Sequence, residues 1–258
     1  MRLLYGSKET GRTSINLPFS WQENQWLEAL QFIQIGAEVF KENNKKILRL
    51  PTIKRLPIYL HILKRLEEEG QEYVSTTTLI DELDFEPVLV RKDLVLMGIP
   101  GKPRMGYCLK DMIVAIENFL GWNRIDDAFL VGVGSLGSAL MGYQPFEENG
   151  LKIIAGFDVD KSKIGTKIHG KPVFALDKLP ELSKRMKVKV GIITTPWQYA
   201  QEVADQMIEA GIVGIWNFSM FKIKVPKNVV THNESLAAGL AVFSVKLKTM
   251  HPELSKAN

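Results

Sequence analysis

Residues 129–140 read FLVGVGSLGSAL, an apolar run that leads directly into a G-x-G-x-x-G motif. The apolar run predicts a buried strand, and the small and apolar residues after the motif continue at helical spacing. In such a strand–turn–helix unit the glycines allow the chain to turn, a pyrophosphate to approach the backbone, and the helix to pack on the strand. The amides that open the helix face the phosphates. A nucleotide site is therefore predicted at Gly132, Val133, Gly134, Ser135, Leu136 and Gly137.

A second apolar strand is predicted at residues 152–157, and it ends at Asp158, about twenty residues after the last glycine of the motif. A carboxylate at this position accepts hydrogen bonds from the ribose hydroxyls of an adenosine, and its charge opposes a phosphate on that ribose. Asp158 therefore favours NAD(H) over NADP(H). The alternative is a glycine turn that only packs a helix against a strand.

Strand and helix patterns continue to alternate as far as residue 216. Repeated strand–helix units predict a parallel, doubly wound sheet of the Rossmann type, with its ligand at the carboxyl ends of the strands. Further ligand contacts are therefore predicted where the later strands end, at Thr194, Thr195, Pro196, Asn217 and Phe218.

The preceding part of the chain has a different pattern. Residues 56–97 contain three predicted helices, of which the third spans 87–97, and a glycine- and proline-rich hairpin is predicted at 98–107. This is the outline of a winged helix, whose third helix enters the major groove while the hairpin lies along the DNA backbone. We predict that Arg91 contacts bases or phosphates, and that Lys92, Lys102 and Arg104 contact phosphates.

The charge distribution favours the same interpretation. A net charge of +4 is too small to indicate nucleic acid by itself, but residues 43–66 contain basic residues and no acidic one. A second basic set begins at Arg91. Two basic clusters in one half of the chain can form a phosphate-binding face, although a solvated charged surface is the alternative that charge alone leaves open.

The composition is that of an ordinary globular protein, 45% hydrophobic and 24% charged over 258 residues. The single cysteine, Cys108, excludes an internal disulfide framework, and no cysteine–histidine spacing indicates a metal site. No apolar run is long enough to cross a bilayer. We therefore expect a cytoplasmic protein with no membrane partner and no bound metal.

The last predicted helix, at residues 234–248, has almost no polar face. A helix that is apolar on all sides must be buried nearly all round, which a terminal helix of one small domain rarely achieves alone. A partner subunit accounts for this pattern, and a two-fold dimer suits a winged helix that reads a palindromic operator. At the other end of the chain, an amphipathic helix is predicted from Trp21 onward, with no chemistry assigned to it.

Several motifs occur in a fixed order, namely RLPIYL at 55–60, VRKDL at 90–94, the glycine motif at 132–140, FDVD at 157–160, GIVGIWNF at 211–218 and LAAGL at 236–240. Over residues 50–248 the chain resembles the Rex redox-sensing transcriptional repressors of bacteria. The resemblance implies a homodimer that binds palindromic operator DNA when NADH is low and leaves it when NADH is high. It also implies NADH and NAD⁺ as ligands, no catalysis, and a last helix inserted between the domains of the other subunit.

The resemblance also assigns individual residues. Tyr143 and Glu234 match a tyrosine and a carboxylate of the nucleotide-linked switch, and Tyr59 and Ser75 join the predicted DNA contacts. The family often has an arginine where this chain has His61, an aspartate at the position of Glu234, and usually Ser-Tyr-Phe at 95–97, where this chain has Val-Leu-Met. Only a protonated histidine can pair with a carboxylate as that arginine does, so His61 is a candidate switch residue.

Four regions are thus predicted: an extension of unknown role at 1–46, a winged-helix DNA-binding domain at 47–124, a Rossmann NAD(H)-binding domain at 125–231, and a dimerisation helix with its tail at 232–258. Two other functions fit parts of the sequence. An NAD-dependent oxidoreductase would need an acid–base residue beside the nicotinamide, and none of the four histidines lies at a strand end beside a lysine or carboxylate. A coenzyme A or other nucleotide-binding module without DNA binding is disfavoured by Asp158.

Overall fold

The computed structural model describes residues 50–83 and 85–255, so the predicted extension at 1–46, including its helix from Trp21, lies outside the described residues. The chain divides into two compact units after Met112, within a helix that ends at Leu120. The boundary predicted at residue 124 therefore follows the end of this helix, whereas the compact units separate inside it.

In the described residues before α4, the first unit contains three helices and a two-stranded antiparallel sheet. In chain order these are α1 (Leu50–Glu68), β1 (Tyr73–Val74), α2 (Thr76–Leu83), α3 (Pro87–Met97) and β2 (Tyr107–Cys108). Strand β1 pairs with β2, and the loop between α3 and β2 is closed by a bridge between Lys102 and Gly106. The three helices occur in the predicted order, but the predicted hairpin at 98–107 is mostly loop, because β2 pairs with β1 instead.

Helix α3 begins and ends where local sequence signals place its ends. Pro87 occupies the first turn, where its missing N–H and fixed φ cost nothing. Gly98 adopts a φ of 70° at the other end, and its N–H donates to the carbonyl of Val95. The predicted span of 87–97 is confirmed.

Helix α1 provides much of the core of the first unit. Leu56, Leu63 and Leu66 are fully or almost fully buried, and their spacing places them along one side of the helix. Leu79 from α2 and Leu94 from α3 are buried as well. A helical core of this kind presents the opposite faces of its helices to solvent.

Helix α4 (Leu109–Leu120) leads into the second unit, which contains a seven-stranded sheet. Its elements are β3 (Asp126–Val131), α5 (Ser135–Met141), α6 (Pro145–Glu148), β4 (Leu151–Asp158), β5 (Lys167–Ile168), β6 (Lys171–Ala175), α7 (Leu179–Met186), β7 (Val190–Ile193), α8 (Ala200–Glu209), β8 (Gly214–Asn217) and β9 (Val230–Asn233). The strand order is β5-β6-β4-β3-β7-β8-β9, and every neighbouring pair except β5–β6 is parallel.

The sheet is covered by helices on both faces. Phe129 and Val131 of β3 point to one face, where they share a buried cluster with α7 and α8. Ala128 and Leu130 point to the other face, where they share a cluster with Met141 of α5. This alternation along one strand is the two-residue period of a sheet buried on both faces. The predicted doubly wound fold is confirmed.

Helix α9 (Leu236–Met250) follows the sheet, with the hydroxyl of Ser235 accepting a hydrogen bond from the N–H of Ala238 at its start. None of its side chains is buried within one chain, although most of them are apolar. Among the described residues, no helix combines the length and the hydropathy needed to span a membrane.

Candidate nucleotide-binding site and nucleic-acid interface

The sequence-predicted ligand residues meet at the carboxyl ends of four adjacent strands, β4, β3, β7 and β8. Backbone hydrogen bonds join the segments beyond these ends. The N–H of Gly132 donates to the carbonyl of Phe157 at 2.8 Å, and the N–H of Thr194 donates to the carbonyl of Val131 at 2.9 Å. The N–H of Phe218 donates to the carbonyl of Ile193 at 2.8 Å. The glycine motif, Asp158, the Thr194–Pro196 segment and Phe218 therefore line one edge of the sheet.

The three glycines of the motif serve two purposes. Gly132 has a φ of 99°, and a Cβ there would lie 2.8 Å from both the N and Cγ2 of Thr195. A Cβ on Gly137 would overlap the carbonyl oxygen of Gly132. At Gly134, by contrast, a Cβ would have nothing within 4 Å. Two glycines thus permit close packing within the protein, and the middle glycine leaves the backbone open to a ligand.

The N-terminus of α5 faces the same open space. Gly134 is its N-cap and supplies no side-chain cap, and the first backbone hydrogen bond joins the N–H of Ser138 to the carbonyl of Gly134 at 2.8 Å. The amides of Ser135, Leu136 and Gly137 precede this bond, so they are the donors that an α-helix leaves unsatisfied at its start. Such donors suit a phosphate group.

Asp158 holds the glycine motif in place. One carboxylate oxygen accepts from the N–H of Val133 at 2.8 Å and from the ammonium of Lys163 at 3.1 Å, and the other accepts from the N–H of Asp160 at 2.9 Å. Burial by itself would raise the pKa of Asp158, but these hydrogen bonds outweigh it and lower the pKa. The carboxylate is therefore ionised and keeps spare acceptor capacity mainly on one oxygen, which suits one ribose hydroxyl better than two.

The remaining predicted ligand residues differ in what their side chains can offer. Thr194 donates its hydroxyl to the carbonyl of Gly132 at 2.7 Å, and Pro196 is exposed. The hydroxyl oxygen of Thr195 is buried without a partner in the described part of the chain.

Asn217 requires a correction. Its amide nitrogen donates to the carbonyl of Phe221 at 2.6 Å and to the side chain of Asn233 at 2.8 Å, while its oxygen accepts from the N–H and hydroxyl of Ser219. A buried amide that already makes these hydrogen bonds has no group left for a ligand. Asn217 therefore shapes the loop after β8, and its side chain does not fit the predicted cofactor contact.

A row of aromatic rings connects the proposed switch tyrosine with the ligand edge, and sequence reasoning missed it. Tyr143 is 52% exposed and packs on Phe146 with ring centroids 4.9 Å apart. Phe146 contacts Trp216 at 5.2 Å, and Trp216 contacts Phe218 at 5.1 Å. The sequence could have indicated this row, because neighbouring residues of a strand face opposite sides, which places Trp216 and Asn217 of β8 on different faces of the sheet.

The other two predicted switch residues lie outside this aromatic row. Glu234 follows β9 at the same edge of the sheet, where its N–H donates to the carbonyl of Asn217 at 2.8 Å and its carboxylate lies 3.3 Å from a ring nitrogen of His232. The expectation that no histidine lies at a strand end beside a carboxylate was therefore wrong. His61 is exposed on α1, in the first unit.

Lys163 is an additional residue that the sequence analysis missed, and its position five residues after Asp158 is the only local signal for it.

In the first unit, the predicted DNA contacts form an exposed basic set. Arg91 and Lys92 project from α3, whereas Val90 and Leu94 of the same helix are buried. Ser75 is exposed, and its hydroxyl accepts from the N–H of Thr78 at the start of α2. Arg104, at the tip of the loop after α3, is exposed with a φ of 65°.

Lys102 is oriented by an aromatic ring. Its ammonium donates to the hydroxyl of Tyr73 at 2.9 Å and lies 5.1 Å from the centre of the same ring. The hydrogen bond to Tyr73 raises the pKa of Lys102. The loop thus presents a fully charged amine from a defined position, as a phosphate contact requires.

Tyr59, in contrast, is not a DNA contact. Its side chain is fully buried, and its hydroxyl donates to the carboxylate of Asp93 at 3.1 Å. A hydroxyl enclosed in the core and bonded to a carboxylate cannot reach a DNA phosphate. The prediction for Tyr59 was wrong.

Two family models match the chain in agreement with its two units. Residues 50–94 match a model described as a putative DNA-binding protein N-terminus, and residues 123–221 match a model described as a CoA binding domain. The redox-sensing transcriptional repressor Rex of Treponema denticola is 49% identical over 205 residues, which cover 80% of this chain and 98% of that protein. The Rex protein of Porphyromonas gingivalis is 42% identical over 78% of this chain and 92% of its own length. The chain belongs to the Rex family of redox-sensing transcriptional repressors.

Solved Rex structures share the fold over most of their length. The crystal structure of RSP, a Rex-family repressor, in complex with β-NAD⁺ and operator DNA has a TM-score of 0.74 at 28% identity, and the match covers 83% of this chain and all of that chain. RSP in complex with β-NADH has a TM-score of 0.71 at 27% identity and is covered to 99%. Rex proteins have thus been crystallised with both redox forms of the nucleotide, and in one case with DNA.

Proposed function

We propose that this chain is a cytoplasmic transcriptional repressor that binds palindromic operator DNA as a homodimer when NADH is low and is released by NADH. The observation that carries the proposal is the combination of two sites in one Rex-family chain. A phosphate-accepting glycine motif opens one edge of the parallel sheet, and an exposed basic helix with an ordered lysine loop lies in the other unit.

The nucleotide site binds its ligand without consuming it. The open backbone at Gly134 and the amides at the start of α5 receive the pyrophosphate, and Asp158 accepts a hydrogen bond from the adenine ribose. Thr195, Pro196 and Phe218 lie where the nicotinamide half would extend. The ionised Asp158 opposes a 2′-phosphate, so NADH binds more tightly than NADPH. We infer that the bound nucleotide acts as a signal, because the chain belongs to a family of transcriptional repressors.

The DNA site separates base recognition from phosphate attraction. Arg91, on the exposed face of α3, is the residue suited to guanine edges because its guanidinium can donate two parallel hydrogen bonds. Lys92, Lys102 and Arg104 supply charge, and Ser75 lies at the start of α2, where a phosphate is favoured. The coupling between the sites uses Tyr143, which the aromatic row links to Phe218, together with Glu234 and His61.

The test is operator binding measured by fluorescence anisotropy across NADH/NAD⁺ ratios, with a duplex that the protein itself selects from a randomised pool. Affinity is expected to fall at least tenfold as NADH replaces NAD⁺, because a ligand shifts an equilibrium only by its differential affinity. NADPH and coenzyme A at equal concentration are the controls and should leave the DNA bound. Equal operator affinity in NADH and NAD⁺ would contradict the proposal, as would NADH turnover with a panel of aldehydes and ketones.

Two alanine substitutions should separate the roles of the basic residues. Arg91→Ala is expected to weaken operator binding by about 1–3 kcal/mol per half-site and to relax selection at one base pair. Lys102→Ala should weaken binding to all sequences equally and reduce the slope of log affinity against log salt by about one per contact. Binding titrations at four salt concentrations, with operator and scrambled duplexes, measure both effects. The assignment fails if Lys102→Ala alters base selection or if Arg91→Ala does not.

A further inference from the structure

The recognition helix α3 carries a buried negative charge beside its exposed positive ones. Asp93 is only 1% exposed, whereas its neighbours Arg91 and Lys92 project into solvent. A helix turns by roughly 100° per residue, so a side chain two positions away points to nearly the opposite side of the helix. Whatever holds Asp93 inward therefore directs Arg91 outward.

Two groups from α1 hold the Asp93 side chain, and a third holds one of those two. The guanidinium of Arg55 donates from Nε to one carboxylate oxygen and from Nη2 to the other, both at 2.8 Å. The hydroxyl of Tyr59 donates to the first oxygen at 3.1 Å. Thr52 accepts a further hydrogen bond from Nη2 of Arg55 at 3.2 Å, which fixes the guanidinium itself.

This arrangement fixes the direction of the Asp93 carboxylate as well as its contact with Arg55. A bidentate arginine–carboxylate pair is planar, so it fixes the direction of the carboxylate in a way that a lysine cannot. Arg55 and Tyr59 are four residues apart on α1 and therefore approach Asp93 from one face of that helix. Arg55 stays protonated over the working pH range, because the hydrogen bond to Asp93 raises its pKa. Tyr59 stays a neutral hydroxyl donor, because burial, followed by the charge of Asp93, raises its pKa.

We propose that Arg55, Tyr59 and Asp93 are positioning residues for operator recognition, which set the rotation of α3 about its axis so that Arg91 faces the base edges. The proposal rests on the DNA-binding function proposed above. Attraction to phosphates tolerates small rotations of a helix, because it depends on charge and distance. Base readout does not, because it needs aligned hydrogen bonds to particular edges. Loosening the cluster should therefore reduce specificity without reducing general DNA affinity.

Two substitutions that preserve net charge test this separation. Tyr59→Phe removes one hydroxyl and leaves the Arg55–Asp93 pair in place, and Arg55→Lys keeps the charge but removes the bidentate geometry. Each is expected to lower operator affinity about tenfold while changing affinity for a scrambled duplex by less than about twofold. Sequences selected from a randomised pool by either variant should lose preference at the base pair that Arg91→Ala also relaxes. Arg65→Lys, which makes the same exchange at an exposed arginine of α1 paired with Glu69 and Glu82, is the matched control and should behave as the wild type.

Thermal unfolding of each variant accompanies the binding measurements, so that specificity is compared in folded protein. The inference is overturned if both variants keep the wild-type ratio of operator to scrambled affinity. It is also overturned if operator affinity and scrambled affinity fall by the same factor and the unfolding temperature falls with them. The second result would mean that the cluster only stabilises the unit. Failure of the underlying function is recognisable separately, because a wild-type protein that selects no sequence from the pool cannot be a repressor of the proposed kind.

Discussion

The double substitution Leu240→Glu and Phe243→Glu is expected to produce a monomer that no longer retains operator DNA. Leu240 and Phe243 are 64% and 61% exposed in the single chain, on a helix that is apolar on nearly every side. Full burial of such a side chain contributes about 1.5–3 kcal/mol, and a symmetric dimer contains two copies of each. The four side chains are therefore worth about 6–12 kcal/mol, which is comparable with the whole association energy of a micromolar complex, about 8 kcal/mol.

Sedimentation or light scattering over a range of concentrations measures the change in mass, and anisotropy measures the loss of DNA binding. The conservative pair Leu240→Met and Phe243→Leu is the matched control, and it should stay dimeric because the buried area is nearly kept. A dimer that persists with two glutamates would show that α9 is not the interface. A monomeric wild type would contradict the proposed assembly itself.

The substitution Gly137→Ala should abolish the response to NADH and also destabilise the protein. The added Cβ would overlap the backbone carbonyl oxygen of Gly132 and lie 2.8 Å from the hydroxyl oxygen of Thr194. A backbone oxygen cannot move aside as the end of a flexible side chain can, so the glycine motif must shift as a whole. Overpacking of this kind costs about 1–3 kcal/mol, and the phosphate site is displaced with the loop.

The substitution Gly134→Ala is the matched comparison, since it adds the same methyl group three residues earlier in the motif. There the Cβ has nothing within 4 Å and the φ is −83°, so the fold should keep its stability. NADH affinity should still fall, because the methyl group occupies the path by which a pyrophosphate approaches the backbone. Calorimetric NADH titration and thermal unfolding together distinguish the two variants. Wild-type stability for Gly137→Ala, or wild-type NADH affinity for Gly134→Ala, would contradict these assignments.

Elements with local signals could be predicted from sequence, and elements that depend on distant partners could not. Helix α3 is confirmed at both ends, because Pro87 and Gly98 fix the backbone locally. The strands β1 and β5 were not predicted, since two residues carry too little periodicity to reveal a strand. Strand β9 was not predicted because it reads Val-Thr-His-Asn, without the apolar run that revealed β7 at the same length. The first helix was predicted to begin at residue 56, whereas α1 spans Leu50–Glu68 and contains Pro57 in its interior.

The position of the candidate site was predictable, whereas the task of each side chain was not. Parallel strands place their carboxyl ends along one edge, so residues after each strand could be grouped from sequence alone. Asn217 and Tyr59 are polar groups of the kind that bind ligands, yet here they satisfy other buried polar groups. Sequence cannot separate these uses, because both require the same hydrogen-bonding atoms. Asp158 serves both purposes, because it accepts a hydrogen bond from the N–H of Val133 and one of its carboxylate oxygens can still accept one from a ligand.

The exposed apolar helix α9 also ties repression to gene dosage. If operator binding requires two chains joined through this helix, the competent species grows with the square of chain concentration wherever dimers are the minority, and stability itself depends on concentration. Halving expression would then quarter the occupied operator fraction before any change in NADH. The cell could therefore adjust the redox threshold of its target genes simply by how much of this chain it makes.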